Sequence, residues 1–170
     1  MLKKAVARFV GFMCVVLLQC GSANAANITY VATDLGSTQT GLWQLDFTIS
    51  DQTFAEYEGF QIFFDYGQYE DLVSISAPAG WDMLTFQPDL LLGPGVLDGM
   101  ALVDSPALNP PFSVQVLWTA SGVPGGLSFE IYDSEFNVTS SGTCAAVPVP
   151  GAIWLLGSGL VTLFARRRKA

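Results

Sequence analysis

The stretch Gly41–Ser50, GLWQLDFTIS, alternates apolar and polar side chains from Trp43 onward. The apolar set is Trp43, Leu45, Phe47 and Ile49, and the polar set is Gln44, Asp46, Thr48 and Ser50. A period of two puts alternate side chains on opposite faces of an extended chain. The stretch therefore predicts a β-strand with one face on an apolar core and the other toward water.

Other stretches repeat this pattern more loosely. In Pro111–Ala120 the inward set is Phe112, Val114, Val116 and Trp118, opposed by Ser113, Gln115 and Thr119, with Leu117 as the exception. In Gly126–Val138 the apolar Leu127, Phe129 and Ile131 oppose the polar Ser128 and Glu130. Weaker strands are predicted at Ile28–Val31, Phe60–Asp65, Leu72–Ser76, Asp82–Phe86 and Phe136–Thr139.

The connecting segments carry turn residues. Val123–Gly126, VPGG, is predicted to close a hairpin between the strands that begin at Phe112 and Leu127. Pro88–Pro111 is predicted to be a long irregular crossing with one short strand near Met100–Val103. No middle segment keeps an apolar period of 3.6. The pattern predicts an all-β domain over residues 26–140, a two-sheet antiparallel sandwich of the immunoglobulin-like or jelly-roll kind, and a linker over 141–150.

The charged residues are segregated along the chain. The seven cations lie near the two ends: Lys3, Lys4, Arg8, Arg166, Arg167, Arg168 and Lys169. All fifteen carboxylates lie between them, from Asp34 to Glu135, and the chain has no His. The middle is therefore a polyanion without internal side-chain ion pairs. Nucleic-acid binding needs Lys or Arg to neutralise phosphates, so this function is excluded.

Most catalytic arrangements are excluded as well. Without His, the Ser-His-Asp and Cys-His arrangements cannot form within the chain. Cys14 and Cys20 fall in the leader, so Cys144 alone could not build a zinc site rich in His or Cys, and it has no internal disulfide partner. A carboxylate pair of the glycosidase kind stays open. The composition favours a protein that is not an enzyme.

The carboxylates offer two candidate calcium sites, and no other cofactor is expected. One is Asp65 with Glu70 and Asp71, and the other is Asp98 with Asp104. Calcium takes oxygen ligands, but neither cluster has the spacing of a helix–loop–helix site. The alternative is an acidic surface that keeps the protein soluble.

The tryptophans raise the question of sugar binding, because aromatic faces stack on sugar rings. Trp43 and Trp118 fall in step with core residues and are predicted to be buried. Trp81 follows the loop Pro78–Gly80 and is the candidate for an exposed, carbohydrate-stacking aromatic. Packing of Trp81 against the core or a loop is the alternative.

Residues 1–25 have the parts of a secretory signal peptide. Three cations precede the apolar run Phe9–Leu18, and Ala23 and Ala25 supply the small residues of a cleavage site. This predicts a mature chain that starts at Ala26. A competing cut before Cys20 would instead produce a lipoprotein.

The segment 151–170 predicts a membrane helix with a cationic end. Gly151–Ala165 carries no charge and is followed at once by Arg166–Lys169. At about 1.5 Å per residue this run spans about 22 Å, and snorkelling arginines extend it toward the roughly 30 Å core of a bilayer. Cationic clusters stay cytoplasmic, so the domain between leader and tail is expected on the other side of the membrane.

The tail also resembles a known family. Val147-Pro148-Val149-Pro150-Gly151, the patch Gly157–Gly159 and the run Arg166-Arg167-Arg168 are similar, in this order, to the PEP-CTERM sorting signal in its Val-Pro-Leu-Pro-Ala variant. The resemblance implies sorting by an exosortase-type protease and transit through the inner membrane of a Gram-negative bacterium. It further implies a cell-surface or extracellular protein, often associated with exopolysaccharide and biofilm. An ordinary membrane anchor is the alternative.

A second resemblance concerns the middle domain. Phe60–Ser76, FQIFFDYGQYEDLVSIS, is similar to the early hairpin of cohesin-like domains, which are jelly-roll sandwiches that bind proteins or matrix components. The sequence therefore predicts an exported, non-enzymatic surface or matrix protein. A calcium-dependent or carbohydrate-binding adhesion module and an acid-pair glycosidase are the alternatives.

Overall fold

Ten β-strands form two facing sheets of five strands each in residues 26–147, the part of the chain that a computed structural model describes. The strands are β1 Asn27–Asp34, β2 Leu42–Ser50, β3 Gly59–Phe64, β4 Tyr69–Ser76, β5 Trp81–Phe86, β6 Gly95–Ala101, β7 Phe112–Trp118, β8 Ser128–Tyr132, β9 Val138–Thr143 and β10 Ala145–Ala146. The first sheet has the order β10-β1-β2-β7-β4 and the second β5-β6-β3-β8-β9. The all-β, two-sheet prediction is confirmed. The expected antiparallel pairing holds except for β1 and β10, which are parallel.

The core fills the space between the sheets and follows the predicted alternation. Leu45 and Phe47 of β2 and Val114 of β7 are fully buried against the inward residues of the second sheet. Trp43 and Trp118, which the sequence predicts to be buried, are only half-buried. Both lie at or next to strand ends and pack against the edge of the core.

Strand β6 lies in the segment that the sequence predicts to be irregular, and it overlaps the short strand predicted near Met100–Val103 at Met100 and Ala101 only. Its two glycines and its Asp weaken the strand signal. Gly99 is needed because the ring of Phe60 lies over its Cα, and any Cβ there would overlap that ring. The pairing of β6 with β5 in a hairpin and with β3 on its other edge makes it a regular strand despite this weak signal.

The predicted hairpin at Val123–Gly126 is wrong. β7 already pairs with β2 and β4, one on each edge, so β8 cannot join it and lies in the second sheet. The loop therefore crosses from one sheet to the other. The hydroxyl of Tyr30 donates to the Pro124 carbonyl at 2.9 Å, and that of Tyr69 donates to the Gly125 carbonyl at 2.7 Å, which holds the crossing over the core.

The ordered strands continue into the predicted linker 141–150. β9 reaches Thr143, and β10 pairs with the free edge of β1. The Val147 N–H donates to the Tyr30 carbonyl at 2.8 Å, which extends this pairing. The linker prediction is therefore wrong for its first half, because an unpaired edge of β1 binds the chain.

Several predicted features lie outside the described residues. These are the signal peptide with Ala23 and Ala25, the sorting residues from Pro148 to Gly151, and the predicted membrane helix with Arg166, Arg167 and Arg168. Ala26, the predicted first mature residue, is buried in the core. Between Ala26 and Val147 no helix has the length and apolar character to span a bilayer.

Candidate functional site

A groove of about 710 Å³ opens on the outer face of the second sheet, over β3, β8 and β9. Its lining residues are Phe63, Asp65, Pro94, Gly126, Ser128, Phe129, Glu130, Ser141, Gly142 and Thr143. The strand pairs Ser128–Thr143 and Glu130–Ser141 stand side by side across β8 and β9. Residues from four separate parts of the chain thus meet in one concave surface.

Phe63 gives the groove an exposed aromatic surface. Its neighbours Ile62 and Phe64 are fully buried, so the pleat of β3 turns Phe63 outward, where it is half-buried. Phe63 lies opposite Ser128 on β8, and the hydroxyls of Ser141 and Thr143 line the same groove. An aromatic face flanked by hydroxyl donors and acceptors is suited to an amphipathic ring such as that of a sugar.

The groove is negatively charged. Asp65 and Glu130 both line it, and residues 26–147 contain no Lys, Arg or His to offset them. Like charges that face each other across an interface weaken binding. The groove therefore disfavours anionic ligands and favours neutral or cationic ones.

The candidate calcium ligands are dispersed. Asp65 lies in the turn after β3, whereas Glu70 and Asp71 lie on β4 of the other sheet. Asp98 lies within β6, and Asp104 follows in the loop beyond it. Within the described range 26–147, no three His, Cys, Asp or Glu side chains come together in a group that could hold a metal ion.

Neutral donors satisfy the carboxylates of the second candidate calcium pair. Asp98 Oδ1 accepts from the Gln61 amide at 3.0 Å and from the Tyr132 hydroxyl at 3.3 Å. Asp104 Oδ1 accepts from the Glu56 backbone N–H at 3.0 Å. These hydrogen bonds stabilise the charges without a cation.

Trp81, the carbohydrate candidate from the sequence, belongs to the core. It is 8% exposed, and its ring centroid lies 5.0 Å from those of Phe54 and Phe112 and 5.6 Å from that of Phe60. Its Nε1 donates to the Ala107 carbonyl at 2.8 Å. Trp81 opens β5 on the inward side of the pleat, so its faces are covered and cannot stack on a sugar.

Phe63 was not predicted as a site residue, although the sequence pattern around it indicates an exposed aromatic. In the run Phe60-Gln61-Ile62-Phe63-Phe64, a period of two places Phe63 on the same face as Gln61, away from the core. An aromatic on the polar face of a strand is the informative exception. Its partners on β8 and β9 are distant in sequence and gave no such signal.

Two buried tyrosines and the partly buried Cys144 make stability depend on pH in the alkaline range. Burial raises the pKa of Tyr69 and Tyr132, the latter also through Asp98, and burial raises the pKa of Cys144 to about 12. The unfolded chain loses these protons first, so the free energy of unfolding falls as pH rises above about 9. We expect a lower melting temperature at pH 10.5 than at pH 8, and a smaller decrease in Cys144→Ser. Equal melting temperatures at the two pH values would contradict this.

The chain is similar to a solved structure over its β-sandwich and to a family motif in its tail. No curated protein matches the sequence. The fold is similar to that of the cohesin module from the family 33 glycoside hydrolase of Clostridium perfringens ATCC13124. The match has 11% sequence identity and a TM-score of 0.43, and it covers 74% of this chain and all of that module.

The family model of the PEP-CTERM protein-sorting motif matches residues 146–169. The matched segment includes both the Val147–Gly151 element and the Arg166–Arg168 run, in the expected order. It begins at Ala146, the last residue of β10, so the motif follows the sandwich without a gap. This chain therefore carries a PEP-CTERM protein-sorting motif directly after its β-sandwich domain.

Proposed function

We propose that this chain is an exported, non-enzymatic cell-surface or extracellular-matrix protein that binds polysaccharide through the Phe63 groove. The observation that carries the proposal is the sorting motif at residues 146–169. Such a motif is read by an exosortase-type protease in the inner membrane, and it implies export and membrane transit. Exopolysaccharide is then the abundant ligand that the sandwich domain meets.

The chemistry of the groove narrows the polysaccharide class. The apolar face of a sugar ring rests on Phe63, and its hydroxyls bond to Ser128, Ser141 and Thr143 or to the carboxylates of Asp65 and Glu130. The same carboxylates repel uronic acids and sulfated sugars. We therefore assign a neutral or amino-sugar polymer to the groove.

Phe63→Ala tests the groove. Loss of a central aromatic anchor costs more than about 1.4 kcal/mol at an interface, so we expect at least about tenfold weaker retention on a neutral or amino-sugar polymer. Phe86→Ala is the matched control, because Phe86 lies on the outer face of the same sheet, is 56% exposed and does not line the groove. Affinity electrophoresis in gels that contain each polymer measures both variants.

Two outcomes would contradict the proposal. Equal retention of the Phe63→Ala variant and the wild type would exclude the groove as the binding surface. The second is cleavage of the polymer. If incubation with the wild type produced new reducing ends and incubation with Glu130→Gln did not, the chain would be an acid-pair glycosidase and not a binding protein.

A further inference from the structure

The loop between β5 and β6 presents three consecutive leucines to solvent. Leu90, Leu91 and Leu92, here called the leucine tip, are 73%, 91% and 88% exposed. No other large apolar side chain in the described range 26–147 is as exposed. A single exposed Leu is ordinary, but three in a row at the end of a hairpin mark an interaction surface.

The backbone of this loop is closed on itself. The Asp89 and Gly93 backbones exchange two hydrogen bonds, at 3.0 and 2.9 Å. Asp89 Oδ1 also accepts from the N–H groups of Leu91 at 2.7 Å and Leu92 at 3.2 Å. Gly93 has a φ of 108°, which only Gly adopts easily, and this lets the loop turn back. The tip thus offers apolar side chains while the N–H groups of Leu91 and Leu92 are bonded within the loop, which lowers the cost of moving them into an apolar medium.

Strand register places the end of β9 beside the leucine tip. Phe64, the last residue of β3, is opposite Gly95, the first residue of β6 and the base of the β5–β6 hairpin. Phe63 is opposite Ser128, which is in turn opposite Thr143, the last residue of β9. The hairpin and the end of β9 therefore lie at one end of the second sheet, here called the tip end.

The chain also leaves the domain toward the tip end. β4 starts at Tyr69, just after the short turn that follows β3, and Tyr69 is opposite the last residue of β7, Trp118. Through β7 and β2, this pairing puts Asp34, the last residue of β1, at the same end. β10 runs parallel to β1 and hence toward Asp34. At Val147 the chain therefore runs toward the end of the domain from which the leucine tip projects.

The sequence after Val147 limits the distance to a membrane. Three residues, Pro148 to Pro150, separate Val147 from the uncharged run Gly151–Ala165, and at full extension they span about 11 Å. When that run lies in a bilayer, the lipid surface is within this reach of Val147, which lies alongside β1 on the way to the tip end.

We propose that the leucine tip inserts into the lipid surface beside the membrane-held tail and fixes the orientation of the domain. Apolar side chains of a protruding element bury at the boundary between headgroups and acyl chains. Phe86 and Val96, which pair at the base of the hairpin, continue the apolar surface toward the sheet. Asp65 and Asp89 near the tip have no cation beside them in residues 26–147, so the tip favours zwitterionic over anionic lipid.

The test uses the full mature chain, Ala26–Ala170, in phosphatidylcholine vesicles. Leu91→Cys in a Cys144→Ser background carries an environment-sensitive fluorophore at the tip. Phe136→Cys in the same background is the matched control, because Phe136 is 69% exposed and lies in the β8–β9 turn at the opposite end. We expect blue-shifted emission from the label at 91 and at least about threefold stronger quenching there by lipids with a nitroxide near the headgroup.

Three results would overturn the insertion of the leucine tip into lipid. Equal quenching at the two positions overturns the proposal, as does a blue shift at 91 without lipid quenching, which indicates that a second copy covers the tip. Flotation of the chain with the vesicles reports the tail separately, and a chain that does not float also overturns the proposal. A label at Leu92→Cys must behave as that at Leu91→Cys does. None of these readouts depends on the ligand of the Phe63 groove.

Discussion

Replacing Trp81 with alanine is expected to lower the free energy of unfolding by about 3–5 kcal/mol. Trp81 packs edge-on against the rings of Phe54, Phe60 and Phe112, and it ties β5 to the loop before β7 through its bond to Ala107. Alanine would leave a cavity at the centre of this aromatic cluster. For a domain of this size, the melting temperature should fall by on the order of 10–20 °C, which calorimetry measures.

Trp81→Phe is the matched variant. It keeps an aromatic ring in the cluster but removes the indole donor, so the Ala107 carbonyl loses its partner, at a cost of about 1–3 kcal/mol. Retention on polysaccharide should equal that of the wild type at a temperature where both are folded. Selective loss of retention in this variant would return Trp81 to the binding surface and contradict its assignment to the core.

Neutralising the cationic cluster Arg166–Lys169 with glutamine should abolish sorting. Without these charges nothing holds the end of the tail on the cytoplasmic side, because positive residues are what resists translocation. Mass spectrometry of the wild-type surface or secreted product should find a chain that starts at Ala26 and lacks the cluster. We expect the processed form of the glutamine variant to fall at least about tenfold.

A variant with lysine at 166, 167 and 168 separates charge from recognition. Retained processing would show that positive charge is sufficient, whereas its loss would show that the sorting protease reads the guanidinium groups. Wild-type surface or secreted material with an intact tail to Ala170 would contradict processing altogether.

The alternation of apolar and polar residues predicted those strands that have one solvent-exposed face and one buried face. β2, β7 and β8 come close to this condition, and their buried residues follow the period of two except for Ser113 and Tyr132. Only the end of β6 was predicted, as part of the short strand near Met100–Val103, because the close approach of Phe60 requires Gly99 and glycine weakens a strand signal. Alternation does not predict a strand well where packing against a residue distant in sequence, here Phe60, requires a glycine.

Pairing was harder to predict than the strands themselves. Val123–Gly126 has the residues of a hairpin turn, yet both edges of β7 are occupied by strands far away in the chain. The two alanines of β10 show no alternation of apolar and polar residues, so the sequence predicted a linker there. The strand forms because β1 has a free edge with which it can pair. Both cases depend on non-local contacts that single-sequence patterns do not encode.

The groove combines one predictable residue with several unpredictable ones. The outward position of Phe63 follows from its own strand, whereas the approach of Ser141 and Thr143 depends on β9 joining the sheet beside β8. Trp81 illustrates the converse. Its position after a loop suggested exposure, but the first residue of a strand on the inward side of the pleat is covered by the opposite sheet.

The parallel pairing of β10 with β1 has a mechanical consequence. It is the last contact before the tail, and it consists of the two pairs Thr29–Ala145 and Tyr30–Ala146 with the Val147 bond beside them. A pull on the chain beyond Val147 acts on these few bonds first. The short β10 pairing is expected to break before force reaches the longer β8–β9 pairing. Detachment of β10 would then leave the rest of the sandwich folded.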